Sequence, residues 1–234
     1  MKQEYLQIKH IPAVIWGEQA DKVIIAVHGS MSHKEDLPIQ IVAEVANSYG
    51  YQVISFDLPE HGARKQEQTL CKVQVCEKEL AEIYAYTQRS WKQISLFANS
   101  LGAYISLMSY QNVRLECAWF LSPLIDMVRM IENMMSWYSI SENELRDKQE
   151  FVTPVGQVLY WDYYCYVKEH PITTWNVKTY MLYGELDETC EKDTIVHFQK
   201  QFNCTLEIVN QASHYFHTEK ELDTLRYWLE KTIS

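Results

Sequence analysis

Phe97-Ala98-Asn99-Ser100-Leu101-Gly102 is the stretch that decides the fold, because it joins two predicted elements. The apolar run 93–98 predicts a buried strand, and residues 100–110 predict a helix. Ala98 and Gly102 lie two positions before and two after Ser100, and their small size suits a sharp strand-to-helix turn that exposes the serine hydroxyl. Serine is also a common helix N-cap. The turn alone therefore does not decide between a nucleophile and a cap.

Strands and helices alternate on both sides of this turn. Residues 5–16 predict an opening hairpin, and apolar runs predict strands at 23–27, 51–56, 117–121, 178–183 and 205–209. Helical spacing follows at 37–49, 69–87, 194–202 and 218–231, and Ser32 and Glu35 have capping-box spacing before the first of these helices. This alternation predicts an α/β fold with a mainly parallel, doubly wound sheet.

Residues 126–175 interrupt the alternation, since they contain no clear strand and are dense in Met, Trp and Tyr. Ser141 and Glu144 have capping-box spacing, which predicts helix. We expect a short helical cap insertion within a single domain that spans residues 1–234. The candidate substrate-binding residues are Asn99, in the turn, and Met134, Trp137, Tyr138, Trp161 and Tyr164, in the insertion. The alternative is that the insertion's side chains only pack it onto the sheet.

Composition excludes several classes of partner. The net charge of −10, without runs of Lys or Arg, disfavours nucleic acid. No apolar run is long enough to span a bilayer, and residues 1–6 carry no signal-peptide core, so we expect a cytoplasmic protein. The six cysteines are scattered and include no Cys-x-x-Cys pair, which favours reduced thiols and no structural metal.

Polar residues follow the predicted strands. Ligands of such sheets bind outside the carboxyl ends of the strands. The segments at those ends are His28-Gly29-Ser30, Asp57-Leu58-Pro59-Glu60-His61-Gly62, the Ser100 turn, Gly184-Glu185-Leu186-Asp187 and Ala212-Ser213-His214. This coincidence favours Ser100 as a nucleophile rather than a cap.

A serine nucleophile needs a histidine base and an acid that orients the base. The chain order Ser, acid, His favours Asp187 and His214. His217 is the alternative base, and Glu185 and Glu188 are alternative acids. The backbone N–H groups of Ser30 and Leu101 are the candidate oxyanion donors.

These residues resemble the α/β-hydrolase family, in its branch of small carboxylesterases and lysophospholipase-like hydrolases with a helical cap. The resemblance implies a Ser100–Asp187–His214 triad, oxyanion donors at Ser30 and Leu101, and structural roles for Asp57 and His61. The chain departs from the family's pattern at Ala98, Asn99 and Glu60, of which Ala98 and Glu60 stand where Gly is usual.

We therefore expect a serine hydrolase that cleaves a small-molecule carboxylic ester without a cofactor. A thioesterase or an aminopeptidase would use the same triad. A non-catalytic binding protein of the same fold and a metal enzyme built on His28, His33 and His61 are weaker alternatives.

Overall fold

The alternating pattern folds into one large sheet flanked by helices. The computed structural model describes residues 1–234. The strands are β1 Gln3–Ile8, β2 Ile11–Trp16, β3 Lys22–Val27, β4 Tyr51–Phe56, β5 Gln93–Asn99, β6 Ala118–Leu121, β7 Glu150–Val152, β8 Val158–Tyr160, β9 Thr179–Gly184 and β10 Thr205–Val209. The helices are α1 Leu37–Ser48, α2 Val73–Ser90, α3 Leu101–Tyr110, α4 Met127–Trp137, α5 Glu142–Lys148, α6 Trp161–Glu169, α7 Lys192–Gln201 and α8 Glu219–Thr232, with a 3-10 turn at Gly62–Arg64.

The central sheet has eight strands in the order β1-β2-β4-β3-β5-β6-β9-β10. The β1–β2 and β2–β4 pairs are antiparallel, and all other pairs are parallel. The prediction of a mainly parallel α/β sheet is confirmed. Because all parallel strands point the same way, β3, β4, β5, β6, β9 and β10 end at one edge, where the polar segments follow them.

Strand β3 shows why the sheet is covered on both faces. Val23 and Ile25 belong to the core that includes residues of α2, α3 and α7, whereas Ile24 and Ala26 belong to the core that includes residues of α1 and α8. Successive strand side chains point to opposite faces, so a strand buried on both faces is apolar throughout. The run at 23–27 therefore lies at the centre of the molecule.

Helix α1 begins differently from the sequence expectation. Ser32 and Glu35 do not form a capping box; the N-cap is Asp36, whose side chain accepts the Leu37 N–H. Glu35 instead accepts a hydrogen bond of 2.6 Å from the Tyr5 hydroxyl. Pro38 favours this start, because proline suits the first turn of a helix, where its missing N–H costs nothing.

Residues 126–175 lie between β6 and β9 and contain α4, α5 and α6, as expected, but also the antiparallel hairpin β7–β8. The expectation of no strand is wrong there, because three-residue strands are too short to show alternation. Gly156, at φ 85°, turns the hairpin. Ser141 caps α5 by accepting the Glu144 N–H at 3.1 Å, but the Glu144 carboxylate binds Lys148, so only half of the predicted capping box forms. None of the helices combines the length and apolar character needed to cross a membrane.

Candidate active site

Ser100 lies between β5 and α3 in a strained backbone conformation, with φ 49° and ψ −117°. Its side chain makes no capping hydrogen bond with the helix. The Oγ atom instead lies 2.9 Å from His214 Nε2. The cap alternative is therefore wrong, and the strain is of the kind that proteins hold at functional sites.

Two glycines allow the turn to pack against the end of β3. A Cβ atom on Gly102 would lie 2.5 Å from the His28 carbonyl oxygen and 2.6 Å from that of Val27. A Cβ atom on Gly29 would lie 3.2 Å from Ser100 Cβ. A Cβ atom would collide with the backbone at Gly102 and would be crowded at Gly29, so the two glycines let the 28–30 loop pack closely against Ser100.

His214 continues the hydrogen-bonded chain from Ser100 to Asp187. Its Nδ1 lies 2.7 Å from Asp187 Oδ2, and the histidine is buried. The other carboxylate oxygen, Oδ1, accepts the N–H groups of Thr189 at 2.9 Å and Cys190 at 2.8 Å. Because a carboxylate only accepts, Nδ1 carries the proton and Nε2 is free to accept from Ser100.

The alternative base and acids do not join this chain. The His217 side chain is 70% exposed, and its closest ionic partner is Glu221 at 4.0 Å. Glu185 accepts the N–H of Gln211 at 3.2 Å, and Glu188 only lines the cavity in front of Ser100. The structure therefore brings Asp187 and His214, rather than these neighbours, to Ser100.

Glu221, at the start of α8, is a residue that the sequence analysis missed. Its carboxylate accepts the N–H groups of Ser213 at 2.9 Å, His217 at 3.2 Å and Thr218 at 3.0 Å. Burial alone would raise the pKa of Glu221, but these hydrogen bonds lower it to about 2. Glu221 thus holds both ends of the loop that carries His214. The Thr218-x-x-Glu221 spacing indicates a capping box, but it does not indicate the hydrogen bond between Glu221 and the Ser213 N–H.

Glu221→Gln is expected to lower the free energy of unfolding by about 2–3 kcal/mol. The backbone N–H groups lose their charged acceptor, and the glutamine NH₂ group places a further donor against them. Because the folded pKa lies below the ordinary value, the wild-type carboxylate adds stability above about pH 4.5 that is lost as pH falls through about 2. Denaturant unfolding of both proteins at a series of pH values measures this difference, which should shrink in acid. The matched control is Glu219→Gln, on the exposed first turn of α8. Equal unfolding free energies for the Glu221→Gln protein and wild type at neutral pH would show that these hydrogen bonds do not stabilise the loop.

Ser30 and Leu101 both line the cavity beside Ser100. The Ser30 N–H donates to no group of the protein. Leu101 is the first residue of α3, where N–H groups have no partner within the helix. Both predicted oxyanion donors therefore lie at the cavity that contains Ser100, with N–H groups that are not bonded to the protein, and remain candidates for that role.

The weaker metal alternative lacks a ligand set. His28 Nδ1 donates to the Gly29 carbonyl at 2.8 Å, and its Nε2 accepts the Leu58 N–H at 3.0 Å. Burial lowers the pKa of His28 to about 4, so the ring is neutral and has no nitrogen left for a metal. His61 Nδ1 is bonded to the Pro59 carbonyl at 2.7 Å. Ligand atoms of Asp187, Cys190 and His214 lie within 4.8 Å of one another, but the carboxylate oxygens and Nδ1 are already hydrogen-bonded there.

Asp57 and Glu60 organise the loop after β4. Burial would raise the pKa of Asp57, but an ion pair with Lys34 at 2.8 Å and two backbone N–H donors lower it. This geometry fits the structural role that the resemblance implies. Glu60 adopts the left-handed backbone, at φ 64°, that Gly would take at this position.

A cavity of about 690 Å³ opens in front of Ser100. Of the predicted substrate-binding residues, Asn99, Met134 and Trp137 line it. Tyr138, Trp161 and Tyr164 do not line it. Tyr138 follows the end of α4, and Trp161 and Tyr164 pack on each other with ring centroids 5.9 Å apart. The Tyr164 hydroxyl donates to Glu132 at 3.0 Å, so this hydrogen bond connects α6 to α4 within the insertion.

One face of α4 lines the cavity with four apolar residues, two of which, Met127 and Met130, the sequence analysis did not identify. The residues of that face are Met127, Met130, Met134 and Trp137. Their spacing of three, four and three places them along one side of a helix. The neighbouring Met135 points into the core instead. The helical phase therefore decides which methionines meet a ligand.

The architecture matches solved structures over nearly the whole chain. No protein-family model and no curated protein matches the sequence. Est1E from Butyrivibrio proteoclasticus with ferulic acid bound is 16% identical, with a TM-score of 0.78 over 97% of this chain and 96% of that chain. The chain has the α/β-hydrolase fold. Mouse α/β-hydrolase domain-containing protein 10 is 15% identical, with a TM-score of 0.79 over 100% of this chain and 98% of that chain. XC6422 from Xanthomonas campestris, an α/β serine hydrolase without a lid, is 13% identical, with a TM-score of 0.68 over 99% of this chain and 93% of that chain.

Within the α/β-hydrolase fold, the three hydrogen-bonded side chains occupy the loops after β5, β9 and β10. A likeness at these identities describes the fold alone.

Proposed function

We propose that this protein is a serine hydrolase that cleaves a carboxylic ester with a small or medium acyl group. Ser100 is the nucleophile, His214 the general base and acid, and Asp187 the residue that orients His214. The observation that carries the proposal is the continuous hydrogen-bonded chain from Asp187 through His214 to Ser100. The backbone of this serine is strained, its side chain makes no capping hydrogen bond with α3, and it faces a cavity.

In the first half of the reaction, His214 Nε2 takes the Ser100 proton as Oγ attacks the ester carbonyl. The negative charge on the carbonyl oxygen is stabilised by the N–H groups of Ser30 and Leu101 and by the N-terminus of α3. His214 then gives the proton to the departing alcohol, which leaves an acyl group on Ser100.

In the second half, a water molecule takes the place of the alcohol. His214 removes a proton from this water as it attacks the acyl carbonyl, and returns the proton to Ser100 Oγ as the acid leaves. Each proton moves between Ser100, His214, the attacking water and the substrate, so the chemistry uses no cofactor.

The insertion at 126–175 acts in this proposal as a cap that binds the acyl group. The methionine face of α4 offers a flexible apolar wall, and thioethers pack well against aromatic rings. A cavity of about 690 Å³ lies within the range of sites that hold small ligands. The ferulic acid in Est1E makes a hydroxycinnamoyl ester a suitable aromatic member of the test panel.

A substrate panel separates the ester proposal from its alternatives. p-Nitrophenyl esters with acyl chains of increasing length, a feruloyl ester, acyl thioesters and aminoacyl anilides are compared by kcat/KM. We expect esters to be preferred, with a maximum at a short or medium chain. A higher kcat/KM for thioesters or anilides would show that the protein is a thioesterase or an aminopeptidase that uses the same triad. Absence of turnover together with no fluorophosphonate labelling would reduce the protein to a binding member of the fold.

The proposed setting is a reducing cytoplasm. Six cysteines in a chain of 234 residues are free thiols in the structure, which suits a compartment where disulfides rarely persist.

A further inference from the structure

Two of these thiols lie against each other outside the triad. Cys71 precedes α2 and Cys76 lies within it, and their Sγ atoms are 3.8 Å apart. A disulfide bond needs about 2.05 Å between the sulfurs. The two sulfurs are therefore less than 2 Å from bonding distance, and Cys71 lies in a segment without helix or strand that can supply the movement.

The two thiols differ in their access to small molecules. Cys71 is half-buried and lines the cavity that contains Ser100, whereas Cys76 is buried in the core under α2. The Cys71 N–H donates to Glu60 Oε2 at 2.7 Å, and Glu60 lines the same cavity. A small reagent that enters the cavity therefore meets Cys71 first.

The surroundings also divide the thiols into an attacking and a resolving partner. A hydrogen bond from Cys76 lowers the pKa of Cys71, against the effect of burial, and the neighbouring His61 lowers it further. The same contact with Cys71, together with burial, raises the pKa of Cys76. Cys71 is thus the thiol of the pair whose pKa is lowered, and a thiolate is the form of cysteine that attacks an oxidant.

We propose that Cys71 and Cys76 form a peroxide-reactive dithiol site that converts reversibly to a disulfide. In the first step, the Cys71 thiolate attacks one oxygen of hydrogen peroxide, the O–O bond breaks, and hydroxide leaves and takes up a proton to become water. Cys71 becomes a sulfenic acid and is oxidised by two electrons, while the peroxide is reduced.

In the second step, Cys76 attacks the sulfur of the Cys71 sulfenic acid. The S–S bond forms, the S–O bond breaks, and the hydroxyl leaves as water with the proton of Cys76. Once Cys71 has become a sulfenic acid, its negative charge no longer opposes ionisation of Cys76, so the first step prepares the second. A dithiol reductant reverses the change.

The sequence provides a direct readout. Trypsin cleaves after Lys65, Lys72 and Lys78, so the two cysteines fall on separate peptides, 66–72 and 73–78. After brief exposure of the folded full-length protein to low hydrogen peroxide and alkylation of the remaining thiols, we expect mass spectrometry to find these peptides joined and dithiothreitol to separate them. Cys165, which is partly exposed and whose pKa is raised by burial and then by Glu169, is the internal reference. Cys71 should react about tenfold faster than Cys165.

A Cys76→Ser variant tests the order of the steps. It has no resolving thiol, so dimedone should trap a sulfenic acid on Cys71, whereas the wild type should give little adduct. Oxidation of Cys165 before Cys71, or unlinked peptides in wild type after Cys71 has oxidised, would overturn the proposal. Circular dichroism confirms that the variant is folded. The same disulfide is expected in a Ser100→Ala background, so the outcome is independent of the hydrolase proposal.

Discussion

Ser100→Ala is expected to lower kcat/KM for the best ester by about 10⁴- to 10⁶-fold, because no other group in the cavity is hydrogen-bonded to His214 Nε2. The fold should survive, because the Ser100 backbone rather than its side chain is bound to the sheet. The Ser100 N–H donates a hydrogen bond of 3.0 Å to the Leu121 carbonyl. Steady-state kinetics and fluorophosphonate labelling measure the loss, with circular dichroism as the test of folding.

Two further variants make this result specific. Ser109→Ala removes another serine hydroxyl of α3, one that only donates to the Ile105 carbonyl, and should keep nearly full activity. Ser100→Gly should be equally inactive but more stable than Ser100→Ala by about 1 kcal/mol, because glycine accepts a positive φ without strain. Retained labelling of the Ser100→Ala protein at another residue would show that the nucleophile lies elsewhere.

The sequence predicted the sheet well because its central strands, such as β3 and β6, are buried on both faces. A run such as 23–27 leaves no polar residue to confuse the pattern, and the residue after each strand then falls at one edge of the sheet. The predicted Ser100, Asp187 and His214 were located by this edge rule, and their side chains do meet. The short hairpin β7–β8 was not predicted, because strands of three residues are too short to show an alternation of apolar and polar residues.

Contacts between distant segments were the part that the sequence could not supply. Glu221 lies in a visible capping box, yet its bond to Ser213 depends on how the loop folds back on α8. Likewise, composition marked the insertion as apolar, but only the phase of α4 and α6 separates Met134, at the cavity, from Tyr164, which is buried against Trp161. Side-chain direction is a property of helix placement, which local pattern does not encode.

Asp187→Asn is expected to lower kcat by about 10⁴-fold with little effect on folding. Oδ1 of Asp187 accepts two N–H groups, from Thr189 and Cys190, so the asparagine carbonyl oxygen will face them. The side-chain NH₂ then faces His214 Nδ1, which must become an acceptor. The ring proton moves to Nε2, and this nitrogen donates to Ser100 instead of accepting from it, so the base is lost while every hydrogen bond is kept.

The matched control for this tautomer argument is Glu185→Gln, which changes a carboxylate of the same turn to its amide and should alter kcat less than about threefold, because Glu185 bonds only the Gln211 N–H. Fluorophosphonate labelling should slow in the Asp187→Asn protein in proportion to kcat, since both reactions need the same proton transfer from Ser100. The orienting role of Asp187 would be lost if its variant kept more than a tenth of wild-type activity. A larger loss in the Glu185→Gln protein would transfer that role to Glu185, because the histidine can take the correct tautomer only where a carboxylate accepts its Nδ1 proton.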